Sequence, residues 1–525
     1  MSLIVGQKPR LPVVAGSERL KSTHMKLRDL IAGAEVGEVT GPSDPEIRSI
    51  AYDSRKAEPG SIFFALRGEK LEGVEFVRGA LTRGAIAVAS ERPRVAGLPD
   101  EITWVELLPG SQRRGLARAA ANFYRCPAEA LKLVGVTGTN GKTTTAYLVD
   151  SILHAAGRIT GFVGTTGYRT PAGSRSAQNT TPESLDLQQM FAEVRDAGGT
   201  HAVLETSSHA LAMDRLWGCH FAVAIFTNLT RDHLDYHKSF EEYFAAKRTL
   251  FAGTGAGPPD AAVINVDDPY AAQLEELAGR TLTYGLKGSP DLTTKKFSLN
   301  FSGLEFTAQA PAGKIEVRSP LVGKINVYNI LAAIGAGIGL DIPIANIEEG
   351  IANLENVPGR FQRIDEGQPF LVVVDYAHTD DALRNLISTA RELSPSARII
   401  TVFGAGGERD RTKRPLMGEA AGSLSNLVVL TSDNPRSEDP LRIINDVVVG
   451  LQKADAKYKV EPERERALEI AIEEAHPGDI VLLAGKGHET TQILADRTIE
   501  FDDREKARTI LRGKGYSGAI RRNAK

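Results

Sequence analysis

An α/β protein of three domains is what this sequence predicts: a small mixed α/β N-terminal domain, then two domains built on mostly parallel sheets. Three observations predict it. The chain has 525 residues, too many for one hydrophobic core and enough for about three domains of ordinary size. From residue 131 onward, short apolar β-branched runs alternate with amphipathic helical stretches, the pattern of a helix-covered parallel sheet. Nearly every polar cluster follows directly on one of those runs, and open parallel sheets bind ligands beyond the carboxyl ends of their strands.

Taken in order, residues 1–25 read as a leader or disordered extension. They lack the apolar stretch of a secretory signal, and Met25, after "STH", reads as a natural start. Residues 26–110 form the first domain, with strand-like "SIFFALRG", "AIAVAS" and "ITWVEL" separated by Gly/Pro-rich turns. The second domain, 111–357, opens on the helical "SQRRGLARAAANFY". It carries "LVGVTGTNGKT", "HAVLETSSH" and "VAIFTNLTRDH", and ends in hairpin-like alternation over 297–319. "ENVPGRFQ" (355–362) has the Pro-Gly punctuation of a linker. The third domain, 358–525, strings together "FLVVVDYAH", "RIITVFGAGG", "NLVVLTSDNPR" and "DIVLLAGKGHE", again strands with polar ends. Two sheets whose loaded edges face each other predict a cleft between the second and third domains, the architecture of an enzyme that joins two substrates.

Composition excludes other classes. Hydrophobic residues make up 42% and charged residues 25%, ordinary for a globular protein. A net charge of −3 draws the chain neither to nucleic acid nor to an anionic membrane. No apolar run approaches the roughly 18 residues of a membrane span. Two cysteines, Cys126 and Cys219, argue against a disulfide framework and for a reducing cytoplasm. The expected partners are small molecules, and the expected state is a monomer.

"GVTGTNGKTT" (135–144) sits between a strand and the helical "TAYLVDSILHAAG". A Gly-rich turn leading into a helix N-terminus cradles phosphates with its backbone N–H groups. Gly138, Thr139, Asn140, Gly141 and Thr144 belong to that cradle. Lys142 is placed to reach the β/γ-phosphates and Thr143 to offer its hydroxyl to Mg²⁺. The strict pattern wants glycine at 136, where the chain has Val136; Gly138 lies inside the loop instead. This predicts a nucleotide site. Glu205, and Asp232, His233 and Asp235 of "NLTRDHLDYH", lie after neighbouring strands. Glu205 and His233 are O and N donors suited to a Mg²⁺ between ATP and a second substrate. Any one of them alone reads equally as a capping residue. Lys247, in the amphipathic "SFEEYFAAKRTLF", is either a surface lysine or one that faces the metal. In the second case it can lose its proton by desolvation and take up CO₂ as a carbamate.

"GVTGTNGKTT", "NLTRDHLDYH" and "YFAAK", in this order and spacing, resemble the Mur ligases, the ATP-dependent amide-forming enzymes of peptidoglycan precursor synthesis. "GKINVYNILAA", "NVPGRFQ" and "DYAHTDDAL" fit as well, so the resemblance runs from about residue 26 to about residue 510. It implies a UDP-sugar-binding first domain, a central P-loop ATPase and a Rossmann-like third domain that admits an amino acid. It implies a carbamylated Lys247 ligating metal with Thr143, Glu205 and His233. It also implies Asn326 beside the adenine, with Arg360 and Asp375 approaching the nucleotide as the domains close. Tyr52 and Ser54 of "YDSR" match the uridine-sugar stretch. Asn179, Thr180 and Thr181, with Ser207 and Arg215, match the muramoyl-peptide site. Met213 departs from relatives that carry glutamine there, so an amide contact is missing.

Within that family, "DNPR" (433–436) resembles the pocket that accepts meso-diaminopimelate onto UDP-N-acetylmuramoyl-L-alanyl-D-glutamate. Diaminopimelate has a second ammonium and carboxylate at its far end. Arg436 can fork onto that carboxylate, Asp433 and Asn434 can orient polar groups, and Pro435 stiffens the turn. L-Lysine would leave Arg436 unpaired, at a cost of roughly 3–5 kcal/mol if buried. Arg409, Gly485 and Glu489 match the other pocket positions. Alone, these four residues read as an Asx-Pro turn. The alternatives are an L-lysine-adding ligase of the same family and a folylpolyglutamate synthetase, which has the G-T-N-G-K core without the UDP-binding domain. A nucleotide-binding scaffold without catalysis would have no use for Lys142, Glu205, His233 and Lys247 together. A P-loop motor or GTPase is disfavoured by the displaced glycine. "GAGGE" (404–408) lacks the spacing of a dinucleotide fingerprint.

Overall fold

The computed structural model describes residues 24–68 and 71–516. The leader assigned to residues 1–25 lies outside them except for its last two residues. The chain divides into two compact units, one ending at Arg125 and the other spanning Cys126–Lys525.

The first unit is a five-stranded sheet in the order Val36–Thr40, Thr103–Leu107, Ala87–Ser90, Ser61–Phe64, Ser49–Ala51. Only the first pair is antiparallel. Phe63, Val77, Val88 and Trp104 fill its core, and the Trp104 indole N–H donates to the Arg92 carbonyl at 3.1 Å, which satisfies the one polar atom of that buried ring. The helix Gln112–Phe123 belongs to this unit, not to the second as the sequence suggested. Asn122 Nδ2 donates to the carbonyls of Leu30 and Ala32 at 2.9 and 3.0 Å, tying off the end of the short helix Leu27–Leu30. A helix's apolar stripe says which face is buried but not which neighbour covers it.

The second unit contains two parallel-rich sheets. The larger has eight strands in the order Gly173–Arg175, Gly167–Thr170, Thr160–Gly164, His201–Glu205, Lys132–Thr137, Phe221–Phe226, Ala261–Asn265, Thr281–Tyr284. The last six run parallel. Helices Lys142–Ala155, Ile325–Gly339 and Ile344–Asn353 cover one face and Ser184–Asp196 and Phe240–Ala252 the other, so the central strands His201–Glu205, Phe221–Phe226 and Ala261–Asn265 are buried on both faces. The alternation at 297–319 is an antiparallel meander of Phe297–Asn300, Gly303–Ala310 and Gly313–Ser319. The smaller sheet runs Gln362–Ile364, Leu371–Asp375, Ile480–Ala484, Ile399–Phe403, Leu427–Leu430, Tyr458–Val460, parallel except for its first strand. It too is buried on both faces. In each sheet the chain steps over an intervening strand, and the loops at that crossover open a crevice.

Candidate active site

The strand Lys132–Thr137 lies between His201–Glu205 and Phe221–Phe226, so its loop emerges where the sheet's order reverses. At Gly138 the loop is packed too tightly for a side chain. A Cβ on Gly138 would lie 1.9 Å from Thr227 Oγ1, and Gly138 has φ +145°. Val136, where the strict motif wants glycine, is fully buried inside the sheet; the tight approach falls two residues later. The loop is held from one side: Thr139 N donates to the Asn228 carbonyl and Asn140 N to Asn228 Oδ1, both at 2.9 Å. Gly141 (φ +86°) then turns the chain into the helix Lys142–Ala155, leaving its first N–H groups facing a cleft.

That cleft, with room of about 240 Å³, is lined by the loop, Glu205, His233, Lys247, Asn326, Arg360 and Asp375 among others. The structure therefore brings together the nucleotide and metal candidates from both sheets. Thr143 Oγ1 donates to Glu205 Oε2 at 2.8 Å and accepts from Arg360 Nη2 at 3.0 Å. Arg360 also lies over the Tyr376 ring, 4.5 Å from its centre. Asp375 accepts from the backbone N–H groups of Phe361 and Ala377 at 2.7 and 2.8 Å. Burial nevertheless raises its carboxyl above the usual range, against the pull of Arg360. Asn326 donates to the Val322 carbonyl at 2.7 Å and accepts from Asn329 Nδ2 at 2.8 Å. Thr144 is buried in the helix behind the loop.

Two lysines meet at this loop. Lys142 and Lys247 each donate to the Gly138 carbonyl at 2.9 Å, and Lys142 also donates to that of Thr139. Lys142 is thus folded back on its own loop. Lys247 is 2% exposed and its ammonium sits 4.3 Å from the centre of the Tyr243 ring. Burial, reinforced by the charge of Lys142, pushes its amine well below the usual lysine range. Burial also lowers Lys142, opposed by Glu205 and Asp232. Lys247 is the inward-facing residue of its helix, not a surface lysine.

His233 occupies the left-handed region at φ 54° and packs edge-on to His209, ring centres 4.8 Å apart. Desolvation lowers its imidazole to about 3 despite Asp232. Burial alone would raise the Asp232 carboxyl, but His233, Lys413 and His378 outweigh it and hold it below the usual range. Their distances to it are 3.4, 3.8 and 3.9 Å respectively. Asp235 lies in the short helix Leu234–His237 and shows no bond to this cluster. Among the described residues no group of three His, Cys, Asp or Glu side chains is placed to hold a metal ion.

The peptide-site candidates gather beside Glu205. Thr181 Oγ1 donates to the Glu205 carbonyl at 2.6 Å and accepts from Ser207 N at 3.0 Å. Thr180 Oγ1 lies 3.3 Å from Thr165 Oγ1, and the Asn179 carbonyl accepts from the Tyr168 hydroxyl at 2.5 Å. Arg215 donates to the Thr181 carbonyl at 2.8 Å and to Glu183 Oε1 at 3.0 Å. Met213 offers its sulfur to Arg215 Nη2 at 3.6 Å, a soft acceptor where relatives are expected to carry an amide. Tyr52 and Ser54 belong to the first unit, where Asp53 caps the turn Ser54–Lys56 through Arg55 N at 3.0 Å.

The amino-acid candidates form a second cluster at the carboxyl edge of the smaller sheet. Asn434 Nδ2 donates to Glu489 Oε2 at 2.9 Å. A Cβ on Gly485 would come within 2.8 Å of Asp433 Oδ2. Arg436 (φ 53°) donates only to carbonyls, Gly407 at 2.8 Å and Asn434 at 3.4 Å. Burial and the charge of nearby Arg409 lower its guanidinium. Pro435 is packed so closely that a Cβ on Gly407 would lie 1.9 Å from its carbonyl.

Several side chains that complete these clusters have no role in the sequence reading. Thr165 donates twice to Glu205, from N at 2.9 Å and Oγ1 at 3.0 Å. Asp381 receives Asn140 Nδ2 at 2.8 Å, His488 Nε2 lies 3.1 Å from the Thr165 carbonyl, and Lys486 is fully buried between Asn434 and Glu489. His378, Asp381, Lys486 and His488 all lie inside "DYAHTDDAL" or "AGKGHE", directly after strands, and that position was the available signal.

Three family models match the chain: a Mur ligase middle domain over residues 136–337, a Mur ligase glutamate ligase domain over 359–487, and a Mur ligase family catalytic domain over 46–106. A protein of Solibacter usitatus (strain Ellin6076) named UDP-N-acetylmuramoyl-L-alanyl-D-glutamate--2,6-diaminopimelate ligase is 53% identical over 496 residues, 94% of this chain and 99% of that protein. A Geobacillus thermodenitrificans (strain NG80-2) protein of the same name is 43% identical over 493 residues, 93% of this chain and 99% of its own. A solved structure bearing that name superposes with a TM-score of 0.60 at 35% identity, covering 90% of this chain and 96% of the other.

Proposed function

The chain belongs to the Mur ligase family, and on that premise we propose how its residues carry out the family's reaction. It is an ATP-dependent, ADP-forming ligase that adds meso-diaminopimelate to UDP-N-acetylmuramoyl-L-alanyl-D-glutamate in peptidoglycan precursor synthesis. The likeness to diaminopimelate ligases over nearly the whole chain carries this reading. A carboxylate at neutral pH has no good leaving group. Transfer of the γ-phosphoryl of ATP to a glutamyl carboxylate oxygen releases ADP and leaves an acyl phosphate. The amine then attacks the carbonyl carbon, phosphate departs, and the nitrogen loses its proton as the amide forms. The protein's part is to position reactants and neutralise charge.

In this reading the loop Gly138–Thr144 cradles the phosphates, and Lys142 swings from its own loop carbonyls to the β/γ-phosphates. Asn326 stands at the adenine. Arg360 and Asp375, from the second sheet, complete the site on closure. The acceptor's peptide lies along Asn179–Thr181, Ser207 and Arg215, and its uridine at Tyr52 and Ser54. Arg409, Asp433, Asn434, Arg436, Gly485 and Glu489 receive the amino acid. Arg436 has carbonyl partners but no carboxylate within ion-pair distance among the described residues, so an anionic ligand end has a guanidinium waiting for it.

Glu205 and Thr143 put hard oxygen donors 2.8 Å apart at the phosphate loop, a donor set that fits Mg²⁺, with His233 beside them. Lys247, dehydrated and with its amine pushed down, fits carbamylation by CO₂. Bound there, Mg²⁺ would neutralise charge on the phosphates and the reacting oxygens. Thr143, Glu205, His233 and Lys247 as its carbamate are the residues we assign to holding it. No helix among the described residues is long and apolar enough to cross a membrane, and we place the reaction in the cytoplasm, carried out by a monomer.

The test is ADP release by the purified protein with ATP, Mg²⁺ and the UDP-muramoyl dipeptide, offering diaminopimelate or L-lysine in separate tubes. Rapid release with diaminopimelate supports the reading. Equal release with lysine favours the lysine-adding alternative, and release without the muramoyl acceptor overturns both. A folylpolyglutamate synthetase is disfavoured because residues 46–106 match a Mur ligase model.

A further inference from the structure

We propose that Lys486 is a specificity-determining residue: a buried cation beneath the amino-acid pocket that biases it toward a zwitterionic rather than a cationic ligand end. This rests on the pocket assigned above. Lys486 leaves the strand Ile480–Ala484 with its side chain fully buried. Its ammonium donates to Asn434 Oδ1 and Glu489 Oε2, both at 3.1 Å, and lies 3.7 Å from Asp433 Oδ1. Three pocket residues from two strand ends therefore converge on one positive charge.

Two consequences follow. The first is orientation. With Oδ1 of Asn434 taken by Lys486 and by Ile493 N at 3.0 Å, its amide nitrogen must face Glu489. The second is charge. Asp433 and Glu489 are two carboxylates at the pocket wall, and Lys486 offsets one of them from below. Without it, both would be left facing the ligand, and a lone ammonium would be a better counter-charge than an ammonium accompanied by a carboxylate. Discrimination is a difference of affinities, and a fixed charge on the wall contributes to that difference even without touching the ligand. Another fully buried cation here, Arg464, is already matched by Asp503 at 2.6 Å. Its guanidinium donates to the carbonyls of Ser432 and Ala484 at 3.3 and 2.9 Å, so it braces the backbone while Lys486 sets the charge.

The experiment compares kcat/KM for diaminopimelate and for L-lysine in the wild type, Lys486→Met and Lys486→Met/Glu489→Gln, with KM for ATP read in parallel. We expect Lys486→Met to lower the diaminopimelate-over-lysine ratio by roughly ten- to a hundredfold, the scale of one unit charge acting over several ångströms at an effective dielectric near 20. KM for ATP should stay within about threefold, and removing one carboxylate in the double variant should restore most of the ratio. An unchanged ratio, or an equal loss for both amino acids, overturns the inference. If Lys486→Met does not fold, the double variant against Glu489→Gln alone gives the same comparison, with a lower ratio expected in the double. Failure of the wild type to use diaminopimelate would instead refute the pocket assignment itself.

Discussion

Lys142 and Lys247 donate to one and the same carbonyl oxygen, that of Gly138, each at 2.9 Å. Two ammonium groups on one acceptor repel each other, and the more deeply buried Lys247 has its amine pushed down by that repulsion as well as by desolvation. Carbamylation would turn this repulsion into attraction. Lys247→Ala is therefore expected to reduce ADP formation by at least about a hundredfold, and formate or acetate at high concentration to restore part of it by supplying the missing oxygens. Full activity of the variant without additive would remove the assigned role.

Arg360 reaches Thr143 across the cleft between the two sheets of the second unit, at 3.0 Å. We assign that contact to the closed, reacting arrangement, and an interaction that belongs to the reacting arrangement raises kcat more than it tightens ATP binding. Arg360→Ala should lower kcat by roughly a hundredfold while the dissociation constant for ATP, from equilibrium binding, moves less than about tenfold. Comparable changes in both would show that Arg360 serves ground-state binding.

Among the described residues Arg436 has no carboxylate within ion-pair distance. Removing it should raise KM for diaminopimelate by about a hundredfold, the worth of a charge-assisted pair near 3 kcal/mol, and leave KM for ATP nearly constant. Steady-state kinetics on Arg436→Ala decides this, and equal losses in both constants would contradict the pocket.

His201 tests the pH behaviour of the fold away from the site. It is 4% exposed, its Nε2 has no hydrogen-bond partner among the described residues, and burial together with Lys132 and Arg158 lowers its imidazole to about 4. The unfolded chain binds a proton near pH 6.5 and the folded one does not, so stability from this group is intact above pH 6.5 and is lost as pH falls toward 4. Between pH 7 and 5 the wild type should lose about 2 kcal/mol more than His201→Gln in urea unfolding. Parallel curves for the two proteins would refute this.

Arg464 and Asp503 form a fully buried pair, so breaking it strands a charge in the core. Asp503→Asn should cost about 3–5 kcal/mol in a denaturant titration. A cost under 1 kcal/mol would mean that water reaches the guanidinium.

Much of this was legible before any coordinates. The strand before "GTNGKT" and the helix after it are both present, because a β-branched run followed by a glycine turn and a helical stretch has few other conformations. The inward face of Lys247 was not decidable from spacing: a lysine beside two alanines has the same sequence on either side of a helix. Short, half-exposed strands such as Val36–Thr40 and Ser49–Ala51 carry too little periodicity to be read. The apolar spacing of Gln112–Phe123 shows a helix but not the unit it packs in, since its partner carbonyls at Leu30 and Ala32 lie 92 and 90 residues away. Lys486 was hidden for a similar reason. A lysine is read as solvated by default, and only the meeting of two strand ends shows that Asn434 and Glu489 enclose it.

The central claim is that ATP is spent to make a glutamyl carboxylate into an acyl phosphate. Labelling that carboxylate with ¹⁸O in the UDP-muramoyl dipeptide and analysing the products by mass spectrometry tests it most directly. One labelled oxygen is expected in the inorganic phosphate released with each ADP and each new amide. Label absent from phosphate, or found in AMP, would contradict it.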